Sequence, residues 1–238
     1  VEDCAQAHGA TYNGKAVGSI GHVNAWSFCQ DKIMTTGGEG GAVTTNDSAA
    51  WDFMWSLKDH GKSYDAVYKK KHPPGFRWLH ERFGSNWRLT EIQSAMGRVL
   101  LKRLPDWVAT RKSHAAALND ALSRQPAVRA TLPPANIGHS YYKHYSFVRP
   151  EALRSGWNRD RIMSAIVAEG VPAFSGSCSE IYLEKCFVDA GLRPKERLPV
   201  ARELGETSLM FLVHPTMQSS DIQDTVQAIE KVFAKATQ

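Results

Sequence analysis

Residues 27–43 read SFCQDKIMTTGGEGGAV. A lysine, Lys32, stands between a short apolar piece and a run dense in glycine (Gly37, Gly38, Gly40, Gly41). Glycines in such a cluster mark tight turns or close approaches of the backbone. The flanking pieces, VNAWSF from residue 23 and GAVTTN from residue 41, have the composition of short buried strands. The expected arrangement is strand, lysine, glycine-rich turn, strand, with an amine held at a strand end. Alone this says little, because most lysines are solvated and most glycine-rich turns are only turns.

Toward the start of the chain, residues 1–10 read VEDCAQAHGA, an acidic pair closing an apparent strand with Gln6 three residues beyond Asp3. The plain reading of Asp3 is a strand-end carboxylate facing water. Taken with Lys32 it says more. Pyridoxal 5'-phosphate (PLP) chemistry needs a lysine to form a Schiff base and a carboxylate to keep the pyridine nitrogen protonated, so that the ring serves as an electron sink. The same amine must also take and return a proton. The chain begins with Val1, in mid-pattern, and an N-terminal portion of the natural protein is expected to precede it.

Toward the C-terminus a helix is expected over about 48–58, followed by a long loop over 60–86. The loop carries YKKKHPPGFRWLHERF, residues 68–83, which reads either as a solvated segment or as one that meets anionic phosphates. Thr90 and Gln93 have capping-box spacing, and Leu89, Ile92, Met96, Val99, Leu100 and Leu104 recur at helical intervals behind them. Pro105 breaks or kinks that pattern, and a second helix is expected over about 107–122. Beyond residue 126 the texture changes. YYKHYSFVR alternates like a strand, NRDRIMSAIVAEG reads as an amphipathic helix stopped at Gly170, and SLMFLVH reads as a buried strand. A last helix, capped by Ser219 or Ser220, carries Ile222, Val226, Ile229 and Phe233. Strands and helices in this order suggest a small α+β domain.

Composition limits the function classes. The 238 residues are 42% hydrophobic and 22% charged, with net charge +5 and pI about 9.0. No apolar run is long enough to cross a bilayer, and the first residues lack the basic start and apolar core of a signal peptide, so the cytoplasm is the expected compartment. Cys4, Cys29, Cys178 and Cys186 form no CxxC pair and read as reduced thiols, with no metal-ligand spacing. The positive charge is scattered and accompanies no nucleic-acid motif.

Three ordered segments carry a resemblance. EDCAQAHGATYNGKAVGSIG, then AWSFCQDKIMTTGGEGGAVTTND, then FGSNWRLTEIQSAMGRVLLKRL over residues 83–104 together resemble the DegT/DnrJ/EryC1/StrS family of PLP-dependent sugar aminotransferases. The resemblance implies a PLP-transferase type I (aspartate aminotransferase-like) α/β large domain, here partial, over 1–110, and a bridging helix with a small C-terminal α+β domain over 111–238. It implies that Lys32 is the Schiff-base lysine and that Asp3 pairs with the pyridinium nitrogen. Gln6 is implied near the ring, Ser27 on the cofactor phosphate, and Asn86 on the phosphate of the neighbouring subunit in a homodimer with shared sites. Two departures stand out: the turn TTGGEGG has one glycine more than the commonest form, and CQD replaces a segment in which many members carry histidine and proline.

The activity implied is transfer of an amino group from an amino acid, by family habit glutamate, to a nucleotide-diphosphate keto sugar. Arg77 and Arg82 are candidate contacts for the diphosphate, because a guanidinium fork suits phosphate oxygens. Ser177, Glu180 and Tyr182 lie where family members place substrate-contacting loops, although a purely structural role fits them equally. His214, at a strand end, reads as structural. The alternatives are a PLP- or PMP-dependent sugar dehydratase of the same family, which carries histidine where Lys32 stands, a non-catalytic truncated relative, and a basic nucleic-acid-binding module using residues 68–83.

Overall fold

The computed structural model describes residues 1–75 and 77–237; Phe76, within the basic loop, and Gln238 lie outside the described residues. The chain divides into two units. The first comprises Val1–Asp106 with Ala135–Ser140, and the second Trp107–Pro134 with the chain from Tyr141 onward.

In the first unit β1 (Glu2–Asp3) lies parallel to β4 (Val23–Ser27), which pairs antiparallel with β5 (Gly41–Thr45) on its other side. These three strands thus form a mixed sheet, with one parallel and one antiparallel pair. The reason lies in the β4–β5 connection, which folds back on itself: the Phe28 N–H donates to the Gly40 carbonyl at 2.8 Å. A parallel crossover would need an intervening layer, usually a helix. β5 is more open than a buried strand, with Val43 half exposed.

Between β1 and β4 the chain makes a small hairpin, β2 (Thr11–Tyr12) and β3 (Lys15–Ala16). Asn13 and Gly14 have φ of 49° and 74°. Positive φ at both central residues is what a two-residue turn matched to strand twist requires. β7 (Ile137–Gly138) returns to pair with the other edge of β2. The Glu2 carboxylate accepts from the Gly18 N–H at 2.8 Å, the Ile20 N–H at 2.8 Å and the Gly21 N–H. These backbone donors, Gly21 foremost, hold its carboxyl below the usual range, and they fasten residues 18–21 to β1.

α1 (Ser48–Lys58) begins at Asp47, whose carboxylate accepts from the Ala49 and Ala50 N–H groups. The segment 60–86 differs from the featureless loop expected. Ser63 caps a short helix, α2 (Tyr64–Tyr68), and bridges Asp59↔Asn86 and Lys62↔His80 pin the base of the loop. Gly61 makes this possible: its φ is +83°, and a Cβ there would lie 1.8 Å from the Arg82 carbonyl oxygen.

α3 (Glu91–Ser123) corrects the expectation of two helices, because it runs unbroken through Pro105. Proline removes one N–H and crowds the carbonyl four residues earlier. Pro105 and Leu101 are both exposed, so that carbonyl reaches water, and the helix continues into a segment anchored by Val108, Ala115, Leu118 and Leu122.

In the second unit β6 (Val128–Ala130), β8 (His144–Val148), β9 (Ala173–Phe174) and β10 (Ser208–Phe211) form an antiparallel sheet of order β6-β8-β10-β9. β8 alternates buried and half-buried residues as expected of YYKHYSFVR. α4 (Arg159–Ala168) and α7 (Ser219–Ala236) join Leu118, Leu122, Leu209 and Phe211 in one core through Ile162, Ile166, Ile229 and Phe233. Short helices α5 (Lys185–Asp189) and α6 (Pro199–Thr207) complete the unit. α7 is capped one residue earlier than expected: Gln218 and Asp221 form a reciprocal capping box, because an Asp three residues on can accept from the Gln218 N–H.

Candidate active site

β1 and β4 are parallel, so their carboxyl ends lie side by side, with Asp3↔Ala25 in register and the Cys4 N–H donating to the Ala25 carbonyl at 2.8 Å. In open α/β sheets this is the end at which ligands bind. Asp3 closes β1 and is exposed; one of its oxygens accepts from the Ala5 N–H at 3.1 Å. Ser27 closes β4, and its Oγ accepts from the Cys29 N–H at 3.3 Å. The chain then turns, the Lys32 N–H donating to the Cys29 carbonyl at 3.0 Å. This leaves a lysine side chain only 16% exposed, 3.6 Å from the Asp31 carboxylate. Gln6 lies in the turn after Asp3, exposed.

The glycine-rich turn is tied down from several sides. Thr36 N–H and Thr35 Oγ1 both donate to the Phe28 carbonyl, at 3.3 and 3.0 Å. The Cys29 thiol donates to Glu39 Oε1 at 3.4 Å. Gln93 of α3 accepts from the Thr90 N–H at 3.2 Å, and its own N–H donates to Thr90 Oγ1 at 3.3 Å, completing the expected capping box. The same side chain donates through Nε2 to the Glu39 carbonyl at 2.5 Å. The start of α3 and the turn beside Lys32 therefore share one residue. Spacing marked the box but could not show this second bond, which joins residues 54 positions apart.

His8 carries no distinguishing pattern in the sequence. It lies between two turns, Ala7 N–H to Cys4 O and Ala10 N–H to Ala7 O, both at 3.0 Å. Its ring is 2% exposed and packs on Trp26 and Phe28, with centroids 5.3 and 6.0 Å away, the two rings that flank Ser27. Among the described residues neither ring nitrogen has a hydrogen-bond partner, a condition that costs about 1–3 kcal/mol per buried group. Burial pushes the imidazole down to about 4; the Ser27 backbone opposes this and the Lys32 charge adds to it.

Asn86 is placed by the pinned loop. Its Oδ1 accepts from Arg88 Nε at 3.0 Å, which directs its amide N–H₂ elsewhere, and Arg88 Nη2 donates to His60 Nε2 at 3.1 Å. Asp59 beside it pairs with Lys58 and Lys62 at 3.3 and 3.2 Å. Arg82 is engaged with α1, 3.2 Å from Asp52 and stacked on Phe53, whereas Arg77 is exposed.

The remaining candidates belong to the second unit. Ser177 N–H donates to Tyr145 Oη at 3.2 Å. Arg197 grips both Glu180 oxygens, Nε at 2.8 Å, while Tyr182 Oη donates to Glu180 at 2.7 Å and accepts from the Leu198 N–H at 2.8 Å. The Arg197 bond, followed by that from Tyr182, holds the Glu180 carboxyl down at about 2. Ser177 and Glu180 line a cavity of about 490 Å³ with Arg159 and Arg197. His214 Nδ1 lies 2.7 Å from Thr216 Oγ1, and burial, then Arg111 and Lys143, lower its pKa.

Asp3 closes β1, Ser27 closes β4 and Lys32 follows five residues further along, so the three stand near the carboxyl end of a parallel strand pair, the end at which open α/β sheets bind small molecules. The chain belongs to the DegT/DnrJ/EryC1/StrS aminotransferase family, whose model matches residues 1–230. It is 31% identical over 234 residues to the erythromycin biosynthesis sensory transduction protein EryC1 of Saccharopolyspora erythraea, covering 98% of this chain and 58% of that one. It is 28% identical over 232 residues to the dTDP-3-amino-3,4,6-trideoxy-alpha-D-glucose transaminase of Streptomyces venezuelae, covering 97% and 55%. The X-ray structure of the aminotransferase from Psychrobacter cryohalolentis superposes with a TM-score of 0.93 at 58% identity, covering 98% of this chain and 61% of that one. The fold is therefore that of these aminotransferases, and the chain spans under two thirds of the length of the relatives it matches.

Proposed function

We propose that this chain carries the lysine-bearing part of a PLP-dependent aminotransferase that moves an amino group from an amino acid, glutamate in our reading, to a nucleotide-diphosphate keto sugar. The observation that supports the reading is that Lys32 follows directly on β4, whose carboxyl end lies alongside that of β1, the ends that Ser27 and Asp3 close. The donor set suits PLP. Asp3 has a carboxylate oxygen to offer a ring nitrogen, Ser27 a hydroxyl for phosphate, and Lys32 a primary amine for the aldehyde. The unpartnered nitrogens of His8 add polar capacity under the same strand end. When bound, PLP supplies an electron sink for the amino acid's Cα–H bond. The chain's own share is to hold that ring through Asp3, with Gln6 beside it, to anchor the phosphate through Ser27, and to move a proton on the Lys32 amine. The relative named as a dTDP-amino-sugar transaminase supports a sugar nucleotide as the amino acceptor.

The active species in this reading is a cytoplasmic homodimer with shared sites, Asn86 reaching the partner's phosphate through the amide that Arg88 leaves available. Arg77 and Arg82 would serve the diphosphate, Arg82 after leaving Asp52, and Ser177, Glu180 and Tyr182 would shape the substrate side, Glu180 and Tyr182 by holding that loop in form. Lys32 also separates this reading from the sugar dehydratase of the same family, which lacks the lysine. Borohydride reduction after PLP loading, followed by peptide mass mapping, is the test. Label on the peptide containing Lys32 is expected and should vanish in Lys32→Ala; label on any other lysine refutes the assignment.

A further inference from the structure

Glu2 and Asp3 are neighbours on β1, so their side chains leave the sheet on opposite faces. In the parallel register Glu2↔Asn24 and Asp3↔Ala25, Glu2 shares its face with Asn24 and Trp26, while Asp3 shares the other with Ala25 and Ser27. Residues 18–21 lie over the first of these faces. A Cβ on Gly21 would stand 3.0 Å from Glu2 Cγ and 3.2 Å from Asn24 Oδ1. Gly18, at φ +85°, is pressed so closely on Trp26 that a Cβ there would lie 2.0 Å from the indole. Glu2 holds the segment in this place. Its carboxylate accepts from the Gly18 and Ile20 N–H groups, both at 2.8 Å, and from the Gly21 N–H. Several N–H groups converging on one anion make a strong and directional seat. On the same face β4 is tied onward to β5, Asn24 Nδ2 donating to the Thr44 carbonyl and Trp26 Nε1 to Thr44 Oγ1, both at 3.1 Å. The clamp therefore reaches from Glu2, the residue before Asp3, to Trp26, the residue before Ser27.

We propose that Glu2 is a positioning residue: by clamping residues 18–21 across the face of β1 and β4 opposite the site, its carboxylate locks the register that sets the separation of Asp3 and Ser27. PLP carries its ring nitrogen and its phosphate at different places on one rigid ring. Asp3 and Ser27 can serve both only at a fixed distance from each other. A shift of β1 along β4 would weaken one contact whenever the other was made. Because the clamp sits on the far face, it sets this distance without touching the cofactor. Its purpose rests on the proposed roles of Asp3 and Ser27; its geometry does not.

The test compares two readouts in the full chain. Hydrogen exchange at the Cys4 amide, which donates to the Ala25 carbonyl at 2.8 Å, reports on β1–β4 pairing directly after Asp3. Absorbance titration with PLP, counting only the change that Lys32→Ala abolishes, reports on the cofactor. Glu2→Gln removes the charge and leaves one acceptor oxygen for the three N–H groups. It should speed Cys4 exchange and weaken PLP binding, each roughly tenfold. Glu2→Asp, a carboxylate one methylene shorter, should recover part of both. Asp47→Ala, which uncaps α1 in the same unit, controls for general loss of stability and should leave both readouts at the parent values. Parent-like Cys4 exchange in Glu2→Gln overturns the proposal. So does faster exchange with undiminished PLP binding, or an Asp47→Ala variant that behaves as Glu2→Gln does. Should Glu2→Gln fail to fold, Gly18→Ala, which forces the segment off Trp26 with Glu2 intact, decides by the same criteria. A parent chain that takes up no PLP refutes the cofactor reading, and Cys4 exchange alone then decides whether Glu2 locks the register.

Discussion

Gln93 should be worth more to the site than to the helix it caps. In Thr90→Ala the helix loses Oγ1 both as acceptor of the Gln93 N–H and as donor to Gln93 Oε1, while the Gln93 side chain keeps its bonds to the Thr90 N–H and the Glu39 carbonyl. Loss of a cap of this kind costs about 1 kcal/mol. Gln93→Ala removes Oε1 from the Thr90 N–H and Oγ1, and Nε2 from the Glu39 carbonyl, two cap bonds and a tether across 54 positions. At about 1 kcal/mol for each net hydrogen bond, its cost is about 3 kcal/mol. Because the chain has two units, a single melting temperature averages over them. Hydrogen exchange resolves the difference. The amides of Phe28 and Thr36, bonded to the Gly40 and Phe28 carbonyls, report on the turn beside Lys32. Losing the tether should speed their exchange roughly fivefold to tenfold in Gln93→Ala, with little change in Thr90→Ala. Equal exchange at those amides in the two variants would show that the turn is held by its own bonds, and the shared-residue argument would fail.

Glu180 sets an acid limit on the second unit. Its carboxyl is lowered from the ordinary 4.5 to about 2, so the stability it contributes is complete above about 4.5 and is lost as pH falls through about 2. Glu180→Gln should flatten the pH dependence of unfolding in that window, as followed by circular dichroism, and an unchanged acid profile would contradict it. Gly61→Ala should destabilise the base of the 60–86 loop by more than 1 kcal/mol, since its φ of +83° and the 1.8 Å approach to the Arg82 carbonyl leave no room for a methyl group; wild-type proteolytic resistance of the loop would argue otherwise. Mixing Lys32→Ala chains with Asn86→Ala chains should restore up to a quarter of the sites, on the order set by random dimer assembly with one intact site per mixed dimer, and no recovery despite dimerisation rejects the cross-subunit role.

The parts of the fold that were legible were those with local signatures. The β4–turn–β5 unit, the capping box at Thr90 and the alternation of β8 all follow from neighbours in sequence, and all appear. What escaped was decided by tertiary surroundings. Pro105 reads as a break, but its exposed position lets α3 continue. The basic segment reads as one loop, yet Ser63 caps α2 within it and a glycine-dependent crossing pins its base. Asn13-Gly14 is a local hairpin signal set among many other glycines, and the structure turns there with φ of 49° and 74°. For the candidate site, motif order groups Lys32, Asp3 and Ser27, whereas the burial of His8 between Trp26 and Phe28 follows from no local pattern. The same limit hid the occupation of Glu180 by Arg197, a partner 17 positions away.

The return of Ala135–Ser140 to the first unit has a consequence for anyone who would divide this protein. β7 gives β2 its second edge through Thr11↔Gly138 and Tyr12↔Ile137, so the first unit is not one continuous stretch of polypeptide. A fragment ending at Asp106 would present the backbone of β2 bare along one side, open to whatever strand it met first, another copy included. The same interleaving means that a recombination event joining the halves of two relatives at residue 106 would import a foreign β7 along with the second unit. Such exchanges would succeed only where the incoming strand keeps register with Thr11 and Tyr12, so the two units are expected to be inherited together.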